Sequence, residues 1–231
     1  MEPFDLWEGE DLRISQREAS LRSHVLMELV SWAGRHFTAR RPPATPAPDR
    51  LLNLGCGASL FEGWVNADFF RLRFWEAPRD LWRVDLRHPL PCDAAHWDGV
   101  FCEHVLEHLH AGEAIALLRE VRRTLKPGGW LRVSVPDLHR YARQYLGQGG
   151  DEKFARWPLR GAAVRALAQG WGHRSLWDAE LLAAALLHAG FVEVEERSFQ
   201  SGADERLLRD APARRWESIY LEARKPASGP R

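Results

Sequence analysis

The chain has 231 residues, and its 32 Lys plus Arg are balanced by 32 Asp plus Glu. Zero net charge argues against a protein whose main task is to bind nucleic acid or an anionic membrane. A hydrophobic fraction of 45%, with 11 Trp and 10 Phe, is enough to bury one sizeable core and excludes a disordered chain.

Residues 11 to 41 read as one helix, because Leu12, Ile14, Leu21, Val25, Leu26, Leu29, Val30 and Trp32 recur at helical spacing. Pro42, Pro43, Pro46 and Pro48 then break it and favour extended backbone. Residues 1–41 are therefore expected to form an N-terminal helical appendage, open to pairing with a second copy, and 42–49 a linker. From Arg50 onward, apolar runs at Leu51 to Leu54, Trp64 to Ala67, Leu81 to Val84, Gly99 to Cys102 and Trp130 to Val135 predict strands, and Gly112 to Leu125 predicts a helix. A second helix is expected over Asp178 to Ala189, with Ser175-x-x-Asp178 as its start signal and Gly190 as its stop. Phe191 to Phe199 and Trp216 to Ala223 predict two final strands, with Gln200 to Arg215 as a loop between them. The alternation specifies an α/β fold, a mostly parallel sheet with helices on both faces that ends in an antiparallel edge hairpin.

Cys56, Cys92 and Cys102 form no CxxC pair, which suits a reducing compartment. No apolar run approaches the roughly 18 residues of a membrane span, and Met1 to Glu10 is acidic and aromatic, unlike a secretory leader. A cytoplasmic protein without membrane contact is expected.

The first strand runs into a glycine turn, Asn53-Leu54-Gly55-Cys56-Gly57, where an open α/β sheet offers its ligand crevice. The next strand ends at Asp68, placed like the carboxylate that takes the hydroxyls of a bound ribose. A third ends at Asp85 and a fourth at Glu103-His104, so four successive strand ends converge on one crevice.

With Trp97-Asp98-Gly99-Val100, Glu103-His104-Val105-Leu106-Glu107-His108-Leu109, Leu125-Lys126-Pro127-Gly128-Gly129 and Ala189-Gly190-Phe191 following in that order, the chain resembles class I S-adenosylmethionine-dependent methyltransferases. It is most similar to the small bacterial ones of the methyltransferase type 11 kind. The resemblance implies a Rossmann-like seven-stranded sheet with a reversed last strand, S-adenosylmethionine as cofactor, and methyl transfer to a small-molecule acceptor. It implies that Asn53, Gly55, Cys56 and Gly57 line the methionine and ribose part of the cofactor and that Asp68 holds the ribose hydroxyls. Asp85 and Leu86 would face the adenine. Glu103 and His104 would lie under the methionine moiety and the acceptor entrance. Two departures stand out: Ser59 replaces a third glycine, and Ala58 to Gly63 is too short for a helical crossover. They keep open a second reading, an S-adenosylmethionine-binding accessory protein without transfer of its own. A nicotinamide oxidoreductase shares the glycine turn but not the LKPGG segment.

Other residues carry two readings each. His104-x-x-Glu107-His108 matches the H-x-x-E-H pattern of a zinc hydrolase, yet lacks an evident third ligand, and no metal is expected. His104 and His173 are the candidate catalytic bases, since histidine titrates near working pH. Asp137 is a candidate acceptor contact or a helix N-cap. The insert Tyr141 to Trp171 is a candidate lid, with Trp157 and Trp171 as candidate stacking platforms, and Trp171 is expected to contact the acceptor.

Overall fold

The computed structural model describes residues 20–38, 41–44, 47–69 and 81–227. Leu12, Ile14 and Pro46 of the expected helix and linker lie outside them. The described part of that helix is α1, Leu21–Ala33, whose N-cap Ser20 accepts a hydrogen bond from Ser23 N, followed by a π-helical turn at Gly34–Thr38. Its apolar residues Leu21, Val25, Leu29 and Trp32 are exposed. The opposite face meets the main domain, where buried Ser31 donates from Oγ to Asp85 Oδ2 at 2.5 Å. The segment expected as an appendage thus folds back over the domain.

Among the described residues, seven strands form one sheet: β1 Leu51–Leu54, β2 Val65–Asp68, β3 Trp82–Arg83, β4 Trp97–Glu103, β5 Leu125–Pro136, β6 Val192–Arg197 and β7 Ser218–Arg224. Their spatial order is β3-β2-β1-β4-β5-β7-β6, with β7 antiparallel to both neighbours. The final hairpin is therefore turned inward, so that β7 fills the slot beside β5 and β6 lies at the edge. β5 begins at Leu125 and takes in the Lys-Pro-Gly-Gly segment, with Gly128 at φ +81° bending it. Between β1 and β2 there are only turns, as the short spacing requires.

Strand alternation separates the two faces of the sheet. Leu131, Val133 and Val135 of β5 point to one face, where they share a core with Leu117, Leu118 and Val121 of α2, Ala111–Thr124, and Leu182 and Leu186 of α5, Ala179–His188. α5 starts at Asp178, whose carboxylate accepts from Leu181 N at 2.8 Å. Ser175, expected to start that helix, instead donates to Leu106 O and accepts from Trp177 Nε1. On the other face the loop between β6 and β7 supplies the cover: Leu207 packs on Leu51 and Phe101. There Arg132, fully buried, uses all five of its N–H groups. Nε and Nη2 clamp Asp210 at 2.7 and 2.6 Å, Nη1 reaches Glu222 at 3.0 Å, and the remaining two donate to the carbonyls of Ser198 and Ser201.

The insert after β5 holds α3, Leu138–Leu146, and α4, Arg160–Gln169. Tyr141, Phe154, Ala163, Leu167 and Trp216 form a second small core there, with Trp157 packed against it.

Candidate active site

A cavity of about 580 Å³ opens at the carboxyl ends of β1, β2 and β4, where open α/β sheets bind ligands. Its size is that of a small-molecule pocket. Its floor is the glycine turn. Gly55 sits at φ +70° and a Cβ there would stand 2.3 Å from Val105 Cγ2, so only glycine lets β1 pass the loop after β4. Gly57, at φ +54°, would send a Cβ into open space, which leaves its backbone bare to the cavity. The missing crossover helix is replaced by side chains that brace the turn: Asn53 Nδ2 donates to Ser59 O and to Asn66 Oδ1. Asp68 at the end of β2 accepts from Gly57 N and Phe69 N, both at 2.6 Å, which aligns its carboxylate along the cavity wall.

Asp85, just beyond β3, is held by a dense set of hydrogen bonds. Arg87 donates to it from backbone N, Nε and Nη2, and Ser31 adds a fourth bond from α1. Burial pushes this carboxyl up, but Arg87 and Ser31 outweigh it and hold the group below its usual range. Arg87 also pairs with Glu28 of α1. α1 is thereby tied across the cavity, to which it contributes Ser23, His24 and Met27.

At the end of β4, Glu103 accepts from Ala211 N at 3.0 Å, and burial raises its pKa. His104 follows in the left-handed region at φ +53°. Arg214 donates to its Nδ1 at 2.9 Å, and its Nε2 stands 2.7 Å from Ser218 Oγ, whose own proton goes to Arg214 O. Both nitrogens of His104 are thus engaged.

Beyond His104, a 3₁₀ turn at Leu106–His108 is strapped to the Gly170–His173 region. Arg174 N and Ser175 N donate to Glu107 O, at 2.7 and 3.1 Å. This brings His173 beside Glu107 and His108. His173 donates from Nδ1 to Leu167 O at 2.7 Å, and burial pulls its pKa down.

All eight residues expected to touch the cofactor, Asn53, Gly55, Cys56, Gly57, Asp68, Asp85, Leu86 and Glu103, line this one cavity, as does His104. His173, Asp137 and Trp171 do not line it. Asp137 caps α3, accepting from His139 N at 2.9 Å, and borders a separate groove with Trp216. Trp171 is 38% exposed beside Trp157. Trp157 is packed into the aromatic core of the insert. Sequence reasoning missed Ser23, Met27, Ser31, Arg87 and Arg214. Ser23, Met27 and Ser31 are spaced at i, i+4 and i+8, one face of α1, and that stripe was the available signal.

Residues 28–196 match the family model of a methyltransferase domain. The chain belongs to that family. No curated protein matches it significantly. Among solved structures it is similar to a chain in the complex between the Haloferax volcanii Trm112 methyltransferase activator and a methyltransferase, at 18% identity and a TM-score of 0.50, covering 92% of this chain and 97% of that one. It is also similar to an S-adenosylmethionine-dependent methyltransferase from Mesorhizobium loti, at 17% identity and a TM-score of 0.50, covering 90% and 99%. These likenesses show the fold, a Rossmann-like sheet with a reversed last strand. The cofactor of the family is S-adenosylmethionine, and the residues present fit it: a bare glycine cradle at Gly57, a carboxylate at Asp68, and apolar walls from Leu86, Val105, Leu109 and Met27.

Proposed function

We propose that the protein transfers a methyl group from S-adenosylmethionine to a small-molecule acceptor. The observation that carries this reading is the single cavity lined by all eight expected cofactor residues and covered by α1. When bound, S-adenosylmethionine supplies an electrophilic methyl group on a sulfonium. The chain's part is to bind, align and exclude water. Gly55 and Gly57 allow close backbone approach, Asp68 takes the ribose hydroxyls, and Leu86 with Asp85 faces the adenine. Glu103 and Arg214, a carboxylate and a guanidinium on the same cavity wall, suit the ammonium and carboxylate of the methionine moiety. His104 is a positioning residue that holds Arg214. Taking a proton at His104 would require releasing Arg214 or Ser218, so alignment rather than a strong base is the main contribution.

Calorimetry with S-adenosylmethionine, S-adenosylhomocysteine and NAD, on the wild type and Asp68→Ala, tests this. Binding of both adenosyl sulfur compounds, weakened at least about ten-fold in the variant, supports it. Silence toward both, or preference for NAD, overturns it. The unhelical β1–β2 crossover and Ser59 favour a second reading, a cofactor-binding accessory protein. In that case cofactor binds but an acceptor screen yields no methylated product.

A further inference from the structure

The H-x-x-E-H segment has acquired a partner that its spacing does not reveal. His104 is turned into Arg214 and Ser218, and His173, from a loop 65 positions beyond His108, takes its place. One donor atom from each of Glu107, His108 and His173 lies within 4.8 Å of the others. We propose that these three residues form a binding site for one divalent transition-metal ion at the rim of the cofactor cavity.

Three independent observations carry this. Glu107 is 1% exposed, and neither of its carboxylate oxygens has a hydrogen-bond partner. His104 Nδ1 stands 3.2 Å from Oε1, in contact but without hydrogen-bond geometry, and is also met by Arg214. An orphaned buried carboxylate is costly unless something answers it. The second observation is the His173 hydrogen bond from Nδ1 to Leu167 O. It fixes the tautomer with a lone pair on Nε2, and a backbone carbonyl on the far nitrogen is the usual way a metal-binding imidazole is oriented. The third is the chemistry of the set. Two imidazoles and a carboxylate, Glu107 and His108 from one turn and His173 from a distant loop, form the donor set of open, three-ligand zinc and iron sites.

Donors on a shell of about 2.1 Å stand about 3.4 Å apart, so closure needs movement on the order of 1 Å. His108 can supply it, because its ring is exposed and makes no hydrogen bond among the described residues. His108 also lines the cavity. The remaining coordination positions would face that space and take water or an acceptor oxygen or nitrogen. The site does not depend on the methyl-transfer reading, and its test does not use transfer.

The test is metal content and calorimetric titration with Zn²⁺ after chelator treatment, with Co²⁺ absorption as a reporter of coordination. The wild type is expected to take one Zn²⁺ per chain and to give a visible Co²⁺ band typical of four or five ligands. His108→Gln, His173→Gln and Glu107→Gln are each expected to weaken Zn²⁺ binding at least about ten-fold and to lose the band. The surface variant His188→Gln should keep both. Absence of stoichiometric binding in the wild type overturns the site, as does binding unchanged in His108→Gln. His108 is exposed, so that variant remains folded, as circular dichroism verifies, even if a change at the more buried His173 prevents folding.

Discussion

Arg132 and Glu107 are both withdrawn from water, yet their surroundings differ in kind. Arg132 has every N–H group hydrogen-bonded and two carboxylates against it. Glu107 has three imidazoles nearby and no hydrogen bond to either oxygen. Burial pushes the Glu107 carboxyl up, but His104 first, then His108 and His173, more than offset this and keep it below the usual range. A saturated cluster holds the fold, whereas an unsaturated one retains capacity for a ligand.

The comparison is broken most directly at Arg132. Arg132→Met strands Asp210 and Glu222 in the interior, and unfolding in urea is expected to show a loss of about 3–5 kcal/mol. A loss below about 1 kcal/mol would mean that the cluster is not a fold-holding device. Next in size is Asp68→Ala, which removes an acceptor of charge-assisted hydrogen bonds worth about 1.5–3 kcal/mol. Cofactor affinity measured by calorimetry should fall about ten- to hundred-fold. Ser31→Ala is expected to cost about 1 kcal/mol in denaturant melts, and to loosen α1, read as faster amide exchange in Leu21–Ala33. Since the folded state holds Asp85 below its ordinary 3.8, that group stabilises the fold above this pH and the contribution fades as pH falls through the lowered value. Ser31→Ala should move the acid loss to higher pH. The smallest effect is expected for Glu107→Gln in metal-free protein. Its stability should change by less than about 1 kcal/mol, in contrast to Arg132→Met, because no hydrogen bond is broken.

How much of this the amino-acid order discloses depends on the range of the contacts. β1 and the helix-facing half of β5 are buried runs or strict alternations, and α2 carries a clear apolar stripe, so local pattern locates them. The crevice was legible for the same reason, since Gly55, Gly57, Asp68, Asp85 and Glu103 each mark a strand end. The inward position of β7 was not, because pairing choice is set by register with β5 and not by anything within Ser218–Arg224. Ser31 reaches Asp85 across 54 positions, and the apolar stripe of α1 points outward, so its periodicity marked the wrong face as the informative one. The insert stayed illegible because Tyr141 and Phe154 are buried largely against Trp216, which no local period records. His173 meets Glu107 only through the backbone strap at Arg174 and Ser175, which leaves no signature in residue type.

The inward placement of β7 also bears on how the chain is made. Ribosomal synthesis delivers β6 before its neighbour exists, and β5 keeps a bare pairing edge until Ser218–Arg224 emerges. The nascent protein therefore carries two unpaired strand edges during that interval, an exposure that favours misassembly. A premature stop shortly before Ser218 should therefore yield an aggregating product rather than a trimmed but folded protein.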